Sequence, residues 1–291
     1  MTMNYFPKIN YFSNALFFLI IFFVKNINFI PLIEVSLKLF YINDITFYDF
    51  PKFILFYNLP IGFLFFIICY SLDYYFYKIK KKNYKDWKIQ HKFEEENKKY
   101  IAIKMSYLNI FLLSIYFSFL TILNNKIPIF KIYTNFHNCS SIYWYFSIIS
   151  YFIYLDFAAY SIHRILHFPY LYKNIHKYHH LFQQPTPFVS LALHPIEYFS
   201  LVNASLIYLI FIKTHINVVI INLLFIFIFN ILNHSGIYFD SGLIMECSSK
   251  FHDDHHRYFH LNYGQSLSIW DIIFKTIRKK NIKYSKNKFF Y

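Results

Sequence analysis

Eight of the chain's fourteen histidines lie in three short clusters. The first cluster reads HRILH, the second HKYHH and the third HDDHH. Imidazole is the usual nitrogen ligand of iron, copper, nickel and zinc in proteins, so the clusters predict a metal centre. With two single histidines added, the predicted ligands are His163, His167, His176, His179, His180, His194, His234, His252, His255 and His256.

The spacing within the clusters predicts that each cluster acts from one helical face. Residues three or four apart project from the same side of a helix, and every cluster uses these separations. Ten imidazoles are too many for a structural zinc site, which closes with four ligands. The pattern therefore predicts two ions with about five nitrogens each and room for dioxygen. Histidine ligation without thiolates suits iron, copper or zinc; two irons are preferred here, with zinc as the alternative in purified protein.

Three further residues are predicted to orient the ligands. Asp156 and Tyr160 continue the stripe of His163 and His167 toward the N-terminus, and Asp253 lies inside the third cluster. A carboxylate or phenol in such a place can accept the second N–H of a ligand imidazole and fix its tautomer. These residues are candidates for supporting the centre rather than for binding metal.

The composition points to a membrane protein. Of 291 residues, 57% are hydrophobic and 15% are charged, against roughly 25% charged in soluble domains. A membrane-spanning helix needs about 20 mostly apolar residues, and a shorter apolar pair predicts a hairpin that enters the membrane and returns. The predicted spans are 11–30, 53–77, 101–123 and 142–160, and the hairpin comprises 198–212 and 218–232. The first span is predicted to be an uncleaved helix rather than a signal peptide.

The positive charge is concentrated beside these spans. The net charge is +14, and ten lysines lie between Lys78 and Lys104. No nucleic-acid-binding motif accompanies the charge, whereas lysine-rich loops beside apolar spans are typical of the cytoplasmic side of a membrane. If the lysine-rich loop is cytoplasmic, all three histidine clusters face the same compartment. The predicted fold is an all-α, multi-pass membrane helical bundle with a cytosolic-face helical cap that carries the di-metal site.

The chain is predicted to have three parts. Residues 1–140 hold the N-terminal transmembrane helices and the lysine-rich loop, residues 141–276 form a catalytic domain, and residues 277–291 form a basic tail. Three scattered cysteines are too few for a disulfide framework.

The histidine clusters and the residues around them resemble the fatty acid hydroxylase superfamily of membrane di-iron enzymes, which includes sterol desaturases, methylsterol oxidases and sphingolipid hydroxylases. The resemblance covers roughly 156–276. The motifs that carry it are Asp156…Tyr160…His163-Arg164…His167, Leu171-Tyr172-Lys173…His176-Lys177…His179-His180, His194-Pro195…Glu197, Asn233-His234-Ser235-Gly236, HDDHH, Asn262-Tyr263-Gly264 and Trp270-Asp271…Phe274…Thr276.

Within that superfamily the sequence looks most like the sterol C5-desaturases, or lathosterol oxidases. The segment Pro185-Thr186-Pro187-Phe188-Val189-Ser190 before His194 is similar to the equivalent segment of that subgroup, as is the run from His260 to Gln265. The resemblance implies an oxygen-dependent enzyme of the endoplasmic reticulum with two Fe ions. It also implies that electrons come from NAD(P)H through cytochrome b5 and its reductase on the cytosolic face.

Three functions remain open at the level of sequence. The preferred one is a sterol C5(6)-desaturase, an oxidoreductase that introduces a double bond. The second keeps the same site but hydroxylates a sterol, a sphingoid base or a fatty acyl chain. The third is a non-catalytic metal- or lipid-binding membrane protein. A metal carrier would distribute its ligands along the spans, whereas these clusters lie at or beyond predicted helix ends.

Overall fold

The computed structural model describes residues 45–240, 245 and 247–279. The predicted span at 11–30 and most of the basic tail lie outside these residues. The described part is mostly helical and confirms the predicted fold class. Its α-helices are α1 Phe50–Leu72, α2 Tyr84–Trp87, α3 Glu96–Lys126, α4 Ser141–Leu166, α5 Pro169–Asn174, α6 Pro195–Phe211, α7 Ile216–Asn233, α8 Ser249–Tyr258 and α9 Ile269–Ile273, and its strands are β1 Ile132–Tyr133 and β2 Thr214–His215.

Among the described residues, four helical segments are long and apolar enough to cross a membrane. They are Phe47–Ile79, which contains α1 and its π-helical continuation, then α3, α4 and α7. The sequence predicted the first three as spans and assigned the fourth to the hairpin, in which α6 is shorter. Large apolar side chains such as Phe63 and Phe146 are well exposed on these helices, as lipid contact requires. The chain is therefore a multi-pass membrane protein.

The main core lies between α1, α3 and a non-helical segment that precedes α6. Phe65 of α1 and Ile110 of α3 are fully buried against Phe188, which belongs to a 3₁₀ turn at Pro187–Leu191. Polar side chains of α3 hold this segment: Asn109 Nδ2 donates to the carbonyls of Leu191 and Leu193, each at 2.9 Å. Irregular backbone in an apolar setting is tolerated when protein groups satisfy it, and α3 supplies those groups.

The two ends of the bundle have different partners. At one end, β2 in the turn between α6 and α7 pairs in parallel with β1 in the connection between α3 and α4. At the other end, the lysine-rich segment approaches the residues after α7: Lys88 forms an antiparallel bridge with Ile237, and Ile89 N donates to Gly236 O at 3.1 Å. The lysine-rich segment thus lies at the end of the bundle where α4 finishes and α6 begins, which is the histidine end.

Candidate metal centre

Nine of the ten predicted histidines come together at this end in two adjacent groups. Within each group, one potential ligand atom per residue lies within 4.8 Å of all the others, and every member is buried. The first group is His163, His167, His176, His180 and His255, and the second group is His179, His234, His252 and His256. The two groups correspond to the predicted two-ion arrangement.

The spacing rule explains how the groups are built. Each pair four residues apart shares a group: His163 with His167 at the end of α4, His176 with His180 in a 3₁₀ segment, and His252 with His256 in α8. The residue at the intermediate position belongs to the opposite group, as His179 and His255 do. Two short segments therefore contribute to both groups, which a single-face reading of the clusters did not predict.

Distances between imidazole nitrogens fit a shared cation. In the first group, His180 Nε2 lies 3.0 Å from His176 Nε2 and 3.1 Å from His255 Nε2. In the second group, His234 Nε2 lies 3.0 Å from His179 Nε2 and 2.8 Å from His252 Nε2. Two nitrogens bound at right angles to one ion, each about 2.1 Å away, are separated by roughly 3.0 Å. The observed separations match that geometry.

The Nδ1 atoms, on the other side of each imidazole ring, show which way the Nε2 lone pairs point. Four Nδ1 atoms lie against oxygen acceptors, which assigns their proton to Nδ1 and leaves Nε2 unprotonated toward the centre. These contacts are His163 to Tyr263 O at 2.8 Å, His176 to Glu197 Oε1 at 2.8 Å, His234 to Asn230 O at 2.9 Å and His255 to Leu261 O at 2.7 Å. His163, His176 and His255 thus bring three unprotonated nitrogens into the first group, where their lone pairs repel one another unless a cation lies between them, so the residues present fit bound metal.

The remaining nitrogens support the same interpretation. Nε2 of His163 and Nε2 of His167 are buried and have no hydrogen-bond partner among the described residues. Burial lowers the pKa of His176 and of His234 to about 3, so both imidazoles are neutral at physiological pH. Neutral imidazole is the form that binds metal.

The structure places His194 away from both groups. His194 is the N-cap of α6, where its Nδ1 accepts a hydrogen bond from Ile196 N at 3.2 Å. Pro195 follows at the first helical position, a residue that favours a helix start. The sequence pattern that suggested a ligand is here a helix-start signal.

The three predicted orienting residues do not hydrogen-bond to site imidazoles in the described part of the chain. Asp156 accepts from Ser266 N at 2.9 Å and from the Trp270 indole at 2.8 Å. Tyr160 OH pairs with Thr276 Oγ1 at 3.0 Å. Both residues therefore hold the segment after α8, whose carbonyls in turn orient the histidines.

Asp253 faces a buried charge from the lysine-rich segment. Lys88 is fully buried, and its Nζ donates to Tyr77 OH at 3.1 Å. Tyr77 OH in turn donates to Ser235 O, the residue after a site histidine, at 2.6 Å. Burial raises the pKa of Asp253 and lowers the pKa of Lys88. The positive charge of Lys88 lowers the pKa of Asp253 and the negative charge of Asp253 raises the pKa of Lys88, so each charge counteracts the effect of burial on the other. Residues N-terminal to α4 thus contribute to the back of the site.

Sequence reasoning missed the groups that actually hold the rings. In the sequence Glu197 is only one member of a motif, yet it is buried and accepts a hydrogen bond from His176. The other acceptors are backbone carbonyls, which carry no side-chain signal. Asp271 fixes two of the amides nearby, accepting from Tyr263 N at 2.9 Å and from Gly264 N at 2.7 Å.

A cavity leads from the histidines into the bundle between α4, α6 and α7. Its far wall is apolar and includes Leu155, Leu201 and Leu223. Its near end is lined by His163 and His234 and by the polar residues Glu197, Asn230, Asn233 and Gln265. Because α4 and α7 are candidate membrane spans, the cavity extends from the histidines to bilayer depth. An apolar cavity with a few polar groups at one end is typical of a small-molecule site.

The fold and the site define a membrane-spanning helical protein whose histidine centre could hold metal ions. Residues 148–276 match the family model described as fatty acid hydroxylase. This part of the chain is therefore similar to that family, which agrees with the sequence resemblance, and it contains all nine grouped histidines.

Curated relatives point to one subgroup. The chain is 35% identical over 139 residues to the Delta(7)-sterol 5(6)-desaturase of Leptosphaeria maculans, covering 48% of this chain and 39% of that protein. It is 37% identical over 129 residues to the human lathosterol oxidase, covering 44% of this chain and 43% of that protein. The match thus spans about two-fifths of the length of these relatives. No solved structure matches the chain.

Proposed function

We propose that this protein is an oxygen-dependent lipid oxidoreductase, a sterol C5(6)-desaturase that acts through two irons held by the nine grouped histidines. The observation that carries the proposal is the position of both histidine groups at the polar end of an apolar cavity between membrane-spanning helices. The similarity of the chain to a Delta(7)-sterol 5(6)-desaturase and to a lathosterol oxidase supports the choice of substrate.

The protein's residues would bind the ions and hold their ligands in place. The first group would bind one ion and the second group the other, with Zn as a possible substitute in purified protein. Iron held here would supply redox chemistry with dioxygen. Glu197 and the carbonyls of Asn230, Leu261 and Tyr263 fix the ring tautomers by accepting the Nδ1 protons.

The overall reaction balances with an external reductant. The sterol loses one hydrogen from C5 and one from C6, and a C5–C6 double bond forms. Dioxygen is reduced to two waters by four electrons, of which two come from the sterol and two from NAD(P)H. The apolar cavity walls would hold the unactivated C–H bonds beside the centre and exclude water from it.

The location and the electron donor follow from the resemblance and from charge. We place the protein in the endoplasmic reticulum membrane with its centre on the cytosolic face, because the lysine-rich segment lies at the histidine end and such segments stay cytoplasmic. Lys173 and Lys177 are exposed beside the site segment. They would attract an acidic electron carrier such as cytochrome b5, which its reductase supplies.

The test is lipid profiling in a host that lacks its own Δ7-sterol 5(6)-desaturase. Expression of the full chain should convert the accumulated Δ7-sterol to a product lacking two hydrogens, and His179→Ala should leave the precursor unconverted. A product that has gained one oxygen atom would instead assign hydroxylation. Metal bound by the protein without any lipid product would assign a non-catalytic function. The gathering of the ligands at one end of the bundle disfavours a metal carrier.

A further inference from the structure

The side-chain amide of Gln265 lies in the cavity wall beside the first histidine group without an effective hydrogen-bond partner. Its Oε1 is buried and unpaired in the described structure. Its Nε2 approaches His163 Nδ1 at 3.4 Å. That nitrogen already donates its proton to Tyr263 O at 2.8 Å, so it cannot accept one from Gln265. Rotating the amide by half a turn would only exchange which end is unpaired.

The backbone around Gln265 is firmly held. Its carbonyl accepts from Asn233 Nδ2 at 2.7 Å, and the neighbouring amides of Gly264 and Ser266 donate to buried carboxylates. The amide is therefore presented to the cavity from a fixed position. Buried polar groups in proteins are nearly always paired, and an unpaired one on a cavity wall indicates an absent partner.

Other polar side chains of the cavity wall are already engaged. Asn230 Nδ2 donates to Ser190 O at 3.0 Å, and Glu197 is bound to His176 through Oε1. Glu197 Oε2 is the other fully buried, unpaired carboxamide or carboxylate oxygen lining the cavity among the described residues. Asn230 and Asn233 each already use Nδ2 in a hydrogen bond to a backbone carbonyl, whereas Gln265 has neither its N–H nor its oxygen engaged and so offers both a donor and an acceptor to a hydroxyl group.

We propose that Gln265 binds the hydroxyl group of the lipid substrate and so determines which carbon is oxidised. This inference rests on the proposed function and adds the direction in which the substrate lies. The hydroxyl would sit at the histidine end, and the rest of the molecule would lie along the apolar wall formed by Leu201, Leu223 and Ile226. The oxidised carbon must then be within a few bonds of the hydroxyl. In a Δ7-sterol, C5 is two bonds from C3, which carries the hydroxyl; a mid-chain carbon of a fatty acid is not so placed.

The experiment compares two sterols in membranes containing the full-length protein. One substrate is a Δ7-sterol with a free 3-hydroxyl, and the other is its 3-methyl ether, which cannot donate a hydrogen bond. The wild-type kcat/KM should favour the free sterol by about tenfold, the range expected for one hydrogen bond. Gln265→Leu should lower kcat/KM for the free sterol about tenfold more than it lowers kcat/KM for the ether, because the ether oxygen can still accept from Gln265 Nε2 but cannot donate to Oε1. Gln265→Met keeps an unbranched chain and should likewise abolish the wild-type preference in kcat/KM for the free sterol over the ether.

The control is Leu223→Val, which alters the apolar wall and should change both substrates alike. The inference is overturned if both Gln265 variants preserve the wild-type preference. It is also overturned if they lose bound metal, because the residue would then serve the His163 ring. Conversion of neither sterol by metal-loaded wild type would instead overturn the proposed function, and with it this substrate orientation.

Discussion

At the scale of single residues, each ring depends on what its outer nitrogen touches. A ligand imidazole must be neutral, in one tautomer and correctly rotated; burial keeps the ring neutral, and a hydrogen bond from Nδ1 sets its tautomer and rotation. In this protein three of those bonds go to backbone carbonyls and one goes to a side chain, that of Glu197. Glu197 is therefore the supporting contact that substitution can test most directly.

Replacing Glu197 should weaken metal binding in the first group. Glu197→Leu removes the acceptor of His176 Nδ1, and loss of such an outer contact typically lowers metal affinity about 10- to 100-fold. Glu197→Gln keeps a carbonyl oxygen and should retain most of the metal. Metal content of the purified full chain, measured during titration with a chelator, separates the two variants. Equal metal loss in both would show that the carboxylate charge, rather than the hydrogen bond, matters.

His194 should be dispensable for the centre. His194→Ala removes a helix cap but no member of either group, so the variant should retain its metal and lose only about 1 kcal/mol of stability. His180→Ala, which removes a member of the first group, should lose metal. Metal analysis of the two purified variants is the measurement. Comparable metal loss in His194→Ala would return His194 to the ligand set.

At the scale of elements, helical periodicity explains what the sequence could predict. The pairs four residues apart fix which histidines share a group, and the structure brings nine of the ten predicted histidines into the two groups. Periodicity says nothing about which distant segment packs behind a helix, so Asp156 was expected beside His163 but instead anchors the loop at Ser266 and Trp270. Backbone carbonyl acceptors are invisible in sequence for the same reason. Lys88 is buried behind α8, and its structural role depends on tertiary contacts. In the composition it is only one of ten lysines.

The buried charge behind α8 gives a prediction at this scale. Lys88→Met would remove the buried positive charge that favours the ionised form of Asp253, so the variant should be less stable than the wild type. Lys85→Met, on the same segment but exposed, is the matched control and should change little. Thermal unfolding of the purified protein in detergent measures both. A Lys88→Met variant as stable as the control would mean that the two charges do not support each other.

At the scale of the whole molecule, the histidine end and the β1–β2 end should face opposite sides of the membrane. Cys139 lies in the connection between α3 and α4, and Tyr170 lies in well-exposed α5 beside the histidines. In sealed microsomes a membrane-impermeant maleimide should label Tyr170→Cys in a Cys139→Ser background directly. The native Cys139 should react only after permeabilisation. Labelling of both cysteines before permeabilisation would contradict the transmembrane arrangement.

His179 and His255 each belong to the group opposite to that of their neighbours in sequence, and this arrangement has a consequence for metal loading. The segment His176–Leu181 and helix α8 each reach both prospective ions, so settling one ion in its place also arranges part of the coordination sphere of the other. Stoichiometric loading should consequently be concerted: at half an equivalent of iron per site, most molecules would carry either a complete pair or none. Native mass spectrometry of partially loaded protein would distinguish this from a statistical mixture rich in singly occupied chains.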